Sequence, residues 1–340
     1  MVSQKGEEMI SAHFLEHVAG GTMKQNRQKK KTRHVIAFLF LAVMILGGAF
    51  AFWLARPENV QTIKSQISAF LFGDLKEGYY NAKSLVLADR SDDSIFISKR
   101  ETEQHLPASL AKLFVVEYAS TIADLTDTVF ADPEAIASIK PNSSVANLEA
   151  KNYSLQNLFA AMLVPSGNDA AYVVADYCGG ILSPEAKTCQ ERISVFMDSL
   201  NQHLQELGYH DTVLYDPSGF DTDARTTALD MKSVVDRLLE HDWFREIISQ
   251  STYTAKLPDG STQTWKNTNT FLDPESEYYH ENVIGVKTGS LSGDYNLVVL
   301  YQQHGKEFLI CSFGSESDSA RYDDVDSIIK TIDESNYLSQ

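Results

Sequence analysis

Val35–Ala55 is a run of 21 residues without a charge, and no other feature restricts the fold of this chain so strongly. As a helix it matches the ~30 Å hydrocarbon core of a bilayer, which takes about 20 apolar residues to cross. Lys24, Arg27, Lys29, Lys30, Lys31 and Arg33 stand directly before it. Such a basic flank keeps residues 1–34 in the cytoplasm and exports the chain beyond Arg56. Ala49-Phe50-Ala51 also looks like a signal-peptide cleavage site. The run is nevertheless longer than the usual signal core of about 7–15 residues, and the segment before it is long, so an uncleaved single-pass anchor is expected. The chain then divides into a cytoplasmic basic tail (1–34), a transmembrane helix (35–55), a juxtamembrane stalk (56–81) and an extracytoplasmic folded domain (82–338).

Charge divides at the same place. Residues 1–34 are net +4, whereas residues 57–340 are net −22. Such an acidic body lacks the cations that neutralise phosphates, which excludes nucleic acid as a partner. The chain's 43% apolar and 22% charged residues are ordinary for a globular protein. Cys178, Cys189 and Cys311 form no Cys-x-x-Cys pair and the histidines show no paired ligand spacing, so no metal or other cofactor is expected. Cys178 and Cys189 either close a small loop across Gly179-Gly180 or stay as thiols. Cys311, within Phe308-Leu309-Ile310-Cys311, reads as a small buried apolar side chain.

Periodicity outlines the domain. Ser84–Ala88 and Ser94–Ile97 read as a hairpin around a polar turn. Pro107 opens a helix through Val116, with Ser109 in its first turn. Tyr153–Leu163 predicts a helix capped by Ser154 and broken by Val164-Pro165-Ser166-Gly167, after which Asn168 or Asp169 caps the next one. Further helices are expected over Pro184–Leu207, Thr226–Leu239 and Ser319–Ile332. Strands are expected at Ser251–Lys256, Gln263–Lys266, Val283–Lys287, Leu297–Tyr301 and Glu307–Ser312. This order predicts an α+β domain: one antiparallel sheet built from both chain ends, packed against a helical cluster.

Three short segments carry the chemistry. In Ser109-Leu110-Ala111-Lys112 the hydroxyl and the amine share a helix face one turn apart. A serine hydroxyl needs a base within reach to act as a nucleophile, and a desolvated lysine near a second cation, here Lys287, can supply it. In Ser166-Gly167-Asn168 the hydroxyl can relay a proton to a leaving amine, and the amide can orient Lys112 and a substrate. Lys287-Thr288-Gly289 ends an apolar strand with a cation and a hydroxyl suited to a substrate carboxylate, and Gly289 allows close backbone approach. Substrate can then lie along that strand edge, with the N–H groups of Ser109 and Ser290 as an oxyanion hole. Each segment alone also fits a plain turn, cap or strand end; their order gives them weight.

These segments resemble the signature of the penicillin-recognising serine enzymes, the penicillin-binding proteins and β-lactamases. More narrowly, the chain resembles the serine-type D-alanyl-D-alanine carboxypeptidases, the low-molecular-mass penicillin-binding proteins. The likeness extends to Asp216-Pro217-Ser218-Gly219, Thr226-Thr227-Ala228-Leu229-Asp230-Met231, Asn267-Thr268-Asn269 and Gly285-Val286, and runs from about Ser84 to Ile332. It implies a β-lactamase/transpeptidase-like fold on a bacterial cell membrane, with catalytic residues Ser109, Lys112, Ser166 and Asn168 and substrate-binding residues Lys287, Thr288, Gly289 and Ser290. The implied partners are a peptidoglycan stem peptide ending in D-Ala-D-Ala and β-lactam antibiotics, both of which acylate Ser109. Two readings stay beside it: a serine β-lactamase, although no counterpart of the Glu-x-x-Leu-Asn element of class A enzymes is recognisable, and a non-catalytic wall-binding or penicillin-sensing module. The chain departs from the family after Gly289, where Ser290-Leu291-Ser292-Gly293 replaces the usual Thr and Ala-Gly pair.

Overall fold

Strand Ser84–Asp89 (β1) pairs antiparallel with Ser94–Lys99 (β2) on one side and with Lys306–Ser315 (β9), more than 200 residues later, on the other. The computed structural model describes residues 80–335; the tail, the apolar run 35–55 and the stalk through residue 79 lie outside the described residues. Asp294–Gln303 (β8) and Val283–Leu291 (β7) complete a five-stranded antiparallel sheet in the order β2-β1-β9-β8-β7. Alternation along the strands serves two layers. Leu85, Leu87, Leu297, Val299 and Ile310 face Tyr322, Val325, Ile328, Ile329 and Ile332 of the C-terminal helix. Val86, Ala88, Val298, Leu300 and Leu309 face the helical cluster on the opposite side. The architecture is α+β, with the sheet built from both ends of the domain.

The helices are Ala111–Ile122 (α1), Pro133–Ala137 (α2), Leu155–Leu163 (α3), Asn168–Leu182 (α4), Cys189–Glu206 (α5), Ala228–Leu238 (α6), Asp242–Ile248 (α7) and Asp318–Glu334 (α8). Every residue of α1 from Ala111 to Glu117 is buried, so this helix is the centre of the cluster rather than its surface. Among the described residues no helix is long and apolar enough to cross a membrane.

Several elements differ from the sequence expectation, each for a local reason. The long helix begins at Cys189, not Pro184, because the Thr188 side chain accepts from Glu191 N while the Glu191 carboxylate accepts from Thr188 N, forming a capping box. Helix α4 begins at Asn168 with Gly167 as its N-cap, so neither Asn168 nor Asp169 caps it. Thr128–Phe130 (β3) pairs with Asn152–Ser154 (β4) in a small sheet of its own, and Thr252–Lys256 (β5) and Thr262–Lys266 (β6) form a separate hairpin outside the main sheet. Within its two strands only Ala255 and Trp265 are buried, and the hairpin bonds to Asn157 of α3 and to the loop that precedes α4. Strand β7 runs past Lys287 to Leu291, paired with β8 down to Asp294. Cys178, Cys189 and Cys311 are all free and buried.

Candidate active site

Ser109 sits at the crowded junction of a short 3-10 turn, Ala108–Leu110, with α1. Ala108 adopts φ 49, the left-handed region that costs a non-glycine residue roughly 1–2 kcal/mol, so neighbours must hold the turn in place. Three do so. The buried Asn296 of β8 donates from Nδ2 to Leu106 O at 2.8 Å and Pro107 O at 3.2 Å, while its Oδ1 accepts from Gly314 N at 2.9 Å. Gly289 of β7 packs so closely that a Cβ there would lie 2.9 Å from Pro107 O. Gly219, at φ 78, is closer still: a Cβ would lie 1.9 Å from Ala108 O. These contacts bring the end of β7 and the Asp216–Gly219 turn against the serine. Ser109 itself stays half-buried and reachable.

Lys112 points inward from α1 and is fully buried. Its Nζ donates to Ser109 Oγ at 3.0 Å, Asn168 Oδ1 at 2.8 Å and Ser218 O at 2.9 Å, which uses all three donors of an ammonium. Burial pushes the amine down to about 7, with Asp216 and then Asp169 acting against that shift. Sequence points to desolvation and to Lys287 as causes of this depression; burial accounts for it, and the two carboxylates favour the charged amine. Lys287 on β7 is also buried and lies well below the ordinary lysine range, through burial first, then Lys112, then Arg321. Repulsion between the two amines is mutual, so a proton on one disfavours a proton on the other.

Ser166 lies in the turn before α4 at φ 63, nearly buried. It is not among the three partners of Lys112. Asn168 spends its side chain on Lys112, while its N–H donates to Ser144 O at 2.8 Å. Asp169 fixes the same loop: its carboxylate accepts from Ala146 N at 2.8 Å, Leu148 N at 3.0 Å and Ala170 N at 3.0 Å. Trp265 Nε1 and Gln263 Nε2 of the β5–β6 hairpin clamp Ala146 O from the other side. The Ser166-Gly167-Asn168 turn is thus held rigidly although it lies in a loop.

Strand β7 is a sheet edge, open to an added strand. Lys287 Nζ donates to Thr288 O at 3.0 Å, and the Thr288 and Thr268 hydroxyls are 2.8 Å apart. Ser290 is exposed, and its Oγ accepts from Arg321 at 2.9 Å. The Arg321 guanidinium also donates to Gly289 O and Asn296 O, both at 3.1 Å, and pairs with Asp318. It lies over the Tyr295 and Tyr322 rings. This places the Lys287 amine and the Arg321 guanidinium, hydrogen-bond donors suited to an anionic group, at the Lys287–Ser290 edge.

Sequence reasoning misses Arg321, Asn296 and the Ser218 carbonyl. Arg321 lies on α8, where a lone arginine carries no local mark of burial. Asn296 is hidden in an apolar strand, although a lone amide among Tyr295, Leu297 and Val298 is itself a signal of a buried polar role.

Comparison with known proteins agrees with this geometry. The family model for peptidase S11, D-alanyl-D-alanine carboxypeptidase, matches residues 75–314. A D-alanyl-D-alanine carboxypeptidase of Streptomyces sp. (strain K15) is 30% identical over 183 residues, which is 52% of this chain and 60% of that protein. The carboxypeptidase DacC of Escherichia coli is 26% identical over 265 residues, 73% of this chain and 60% of that one. The chain therefore spans about 60% of the length of these curated relatives. The crystal structure of the Streptomyces K15 DD-transpeptidase shares the fold, with a TM-score of 0.68 at 24% identity over 75% of this chain and 98% of that one. So does penicillin-binding protein D2 of Listeria monocytogenes in its ampicillin-bound form, with a TM-score of 0.60 at 18% identity over 75% and 99%. A match over most of the folded domain, on a serine–lysine turn, an amide turn and a strand edge brought together as described, makes this chain a member of the S11 family of D-alanyl-D-alanine carboxypeptidases.

Proposed function

We propose that this chain is a membrane-anchored serine carboxypeptidase that removes the terminal D-alanine from peptidoglycan stem peptides. One observation carries the reading: the Ser109 hydroxyl lies 3.0 Å from an amine that burial has brought down to about 7, so a free-base lysine is available at neutral pH. The neutral Lys112 takes the Ser109 proton as Oγ attacks the carbonyl of the penultimate residue. The N–H groups of Ser109 and Ser290 stabilise the oxyanion. The Ser166 hydroxyl relays a proton to the leaving amine, free D-alanine departs, and water hydrolyses the ester on Ser109. Lys287, Thr288 and Arg321 hold the terminal carboxylate, while the peptide backbone lies along β7. A β-lactam offers the same two groups, an amide carbonyl and a carboxylate, and acylates the same oxygen.

The apolar run Val35–Ala55 supports an anchor, and the basic flank before it supports placing the domain outside the cytoplasmic membrane of a bacterium. Alkaline extraction of membranes tests the anchor; release of the chain into the wash would overturn it. The activity is tested on the full chain in detergent with a diacyl peptide ending in D-Ala-D-Ala. D-Alanine is released by the wild type and not by Ser109→Ala. A wild type that takes a penicillin adduct but releases no D-alanine would be a sensor instead, and rapid turnover of a chromogenic cephalosporin would make it a β-lactamase.

A further inference from the structure

The Asp216–Gly219 turn touches Lys112 and the residue that precedes Ser109 without contributing a side chain to either. Its Ser218 carbonyl accepts from Lys112 Nζ at 2.9 Å, and Gly219 packs on Ala108 O. One side chain holds the turn. Asp216 Oδ1 accepts from Ser218 N at 2.8 Å and from the Ser218 hydroxyl, and Oδ2 accepts from Asp221 N at 2.6 Å. We propose that Asp216 is a positioning residue for the Lys112 base: it holds the Ser218 carbonyl against Nζ, and its charge sets the pH above which Ser109 is acylated. The proposal rests on the reading of Lys112 as the base.

The charge matters beyond the Asx turn itself. The turn closed on Ser218 N is also made by neutral Asn, and more weakly by Ser or Thr, whereas the second bond, from Asp221 N to Oδ2, needs a carboxylate. A carboxylate here also faces a buried amine. Of the charges acting on Lys112, Asp216 on this turn and Asp169 on α4 favour its protonated form. Lys287 on β7, with Arg321 of α8 behind it, opposes a second positive charge in the site. Burial first, then Asp216 and Asp221, act to keep the Tyr172 phenol protonated. Asp216 is therefore the larger of the two counterweights to the burial of Lys112.

The test is the rate of Ser109 acylation by a fluorescent penicillin as a function of pH, using the full chain in detergent. For Asp216→Asn the midpoint is expected to move down by about half to one and a half pH units, which raises acylation one unit below the wild-type midpoint about three- to eightfold relative to each protein's own plateau. Asp216→Thr, which keeps a neutral acceptor for the turn, shifts in the same direction and stands in if the Asn protein does not melt cooperatively. Asp216→Glu retains the charge, so it keeps the wild-type midpoint with a lower plateau. Midpoints of the neutral variants that coincide with wild type overturn the proposal, as does a Glu variant that shifts as far as the Asn one. Failure of both neutral variants to fold would make Asp216 a purely structural residue and also ends it. A wild type that takes no penicillin adduct at any pH refutes the base reading itself, a different result from an unmoved midpoint.

Discussion

Asn296→Leu isolates the device that holds the nucleophile turn. Leucine is close in size and shape, so the variant removes the amide and leaves the volume. Asn296 is completely buried and makes three side-chain bonds, to Leu106 O, Pro107 O and Gly314 N. Pro107 O keeps a second partner, Leu110 N at 3.2 Å. The loss therefore falls on Leu106 O and on Gly314 N, which sits at φ 70 where the β8–β9 register slips between Tyr295 and Leu297. A buried polar group stripped of its partner costs about 1–3 kcal/mol, so two give roughly 2–6 kcal/mol, partly offset by the apolar gain of leucine. Taking about 3 kcal/mol, a domain of this size loses about 6–12 °C in Tm. Ala108 is in a strained conformation, so the freed turn relaxes and penicillin acylation slows together with the melting shift. The measurements are a thermal melt and the acylation rate at a temperature where both proteins are folded. A variant within about 1 kcal/mol of wild type that acylates at the wild-type rate would show that Asn296 does not hold the turn.

The same geometry sets two further outcomes. Gly219→Ala forces a Cβ to 1.9 Å from Ala108 O at φ 78, a collision with backbone that adds to the left-handed penalty of roughly 1–2 kcal/mol, so penicillin labelling falls at least tenfold; labelling at the wild-type rate would refute this packing. Lys112→Met changes the pH dependence of stability: the folded amine at about 7 lies below its unfolded value, so between about pH 7 and 10 the unfolded chain binds more protons and the wild type gains stability as pH rises. The unfolding free energy of the Met variant relative to wild type therefore falls across that window, by about 1.4 kcal/mol for each pH unit crossed, and a constant difference from pH 6 to 10 would contradict a depressed amine.

Distance along the chain decides what the sequence can show. Ser109 and Lys112 are three residues apart in a helix, so their meeting follows from helical geometry, and the 3.0 Å bond is its result. The antiparallel sheet is legible for a similar reason: β1, β8 and β9 each carry apolar residues on both faces, which only a sheet covered on both sides accepts. The β5–β6 hairpin cannot be told from strands of that sheet, because period-two alternation reports a strand and not its neighbour. The capping box at Thr188 is present in the letters, yet Pro184 is the more conspicuous helix start and is not one.

The residues that sequence leaves unread are those that act across the fold. Ser218 enters the site through its carbonyl, which no side-chain pattern records, and Arg321 reaches Ser290 from an otherwise ordinary amphipathic helix. Both serve one physical need. Two buried amines within one cleft are costly unless acceptors and counter-charges surround them, and β7 and α1 supply few of their own. Lys112 finds acceptors on three separate elements, the Ala108–Leu110 turn, α4 and the Asp216 turn, whereas Lys287 finds only the carbonyl of the next residue, Thr288, among the described residues. Lys287 is then the less satisfied amine and has capacity left for an anionic ligand. That difference fits the two roles proposed for the lysines: a fully bonded amine held for proton transfer, and an under-bonded one with room for a carboxylate.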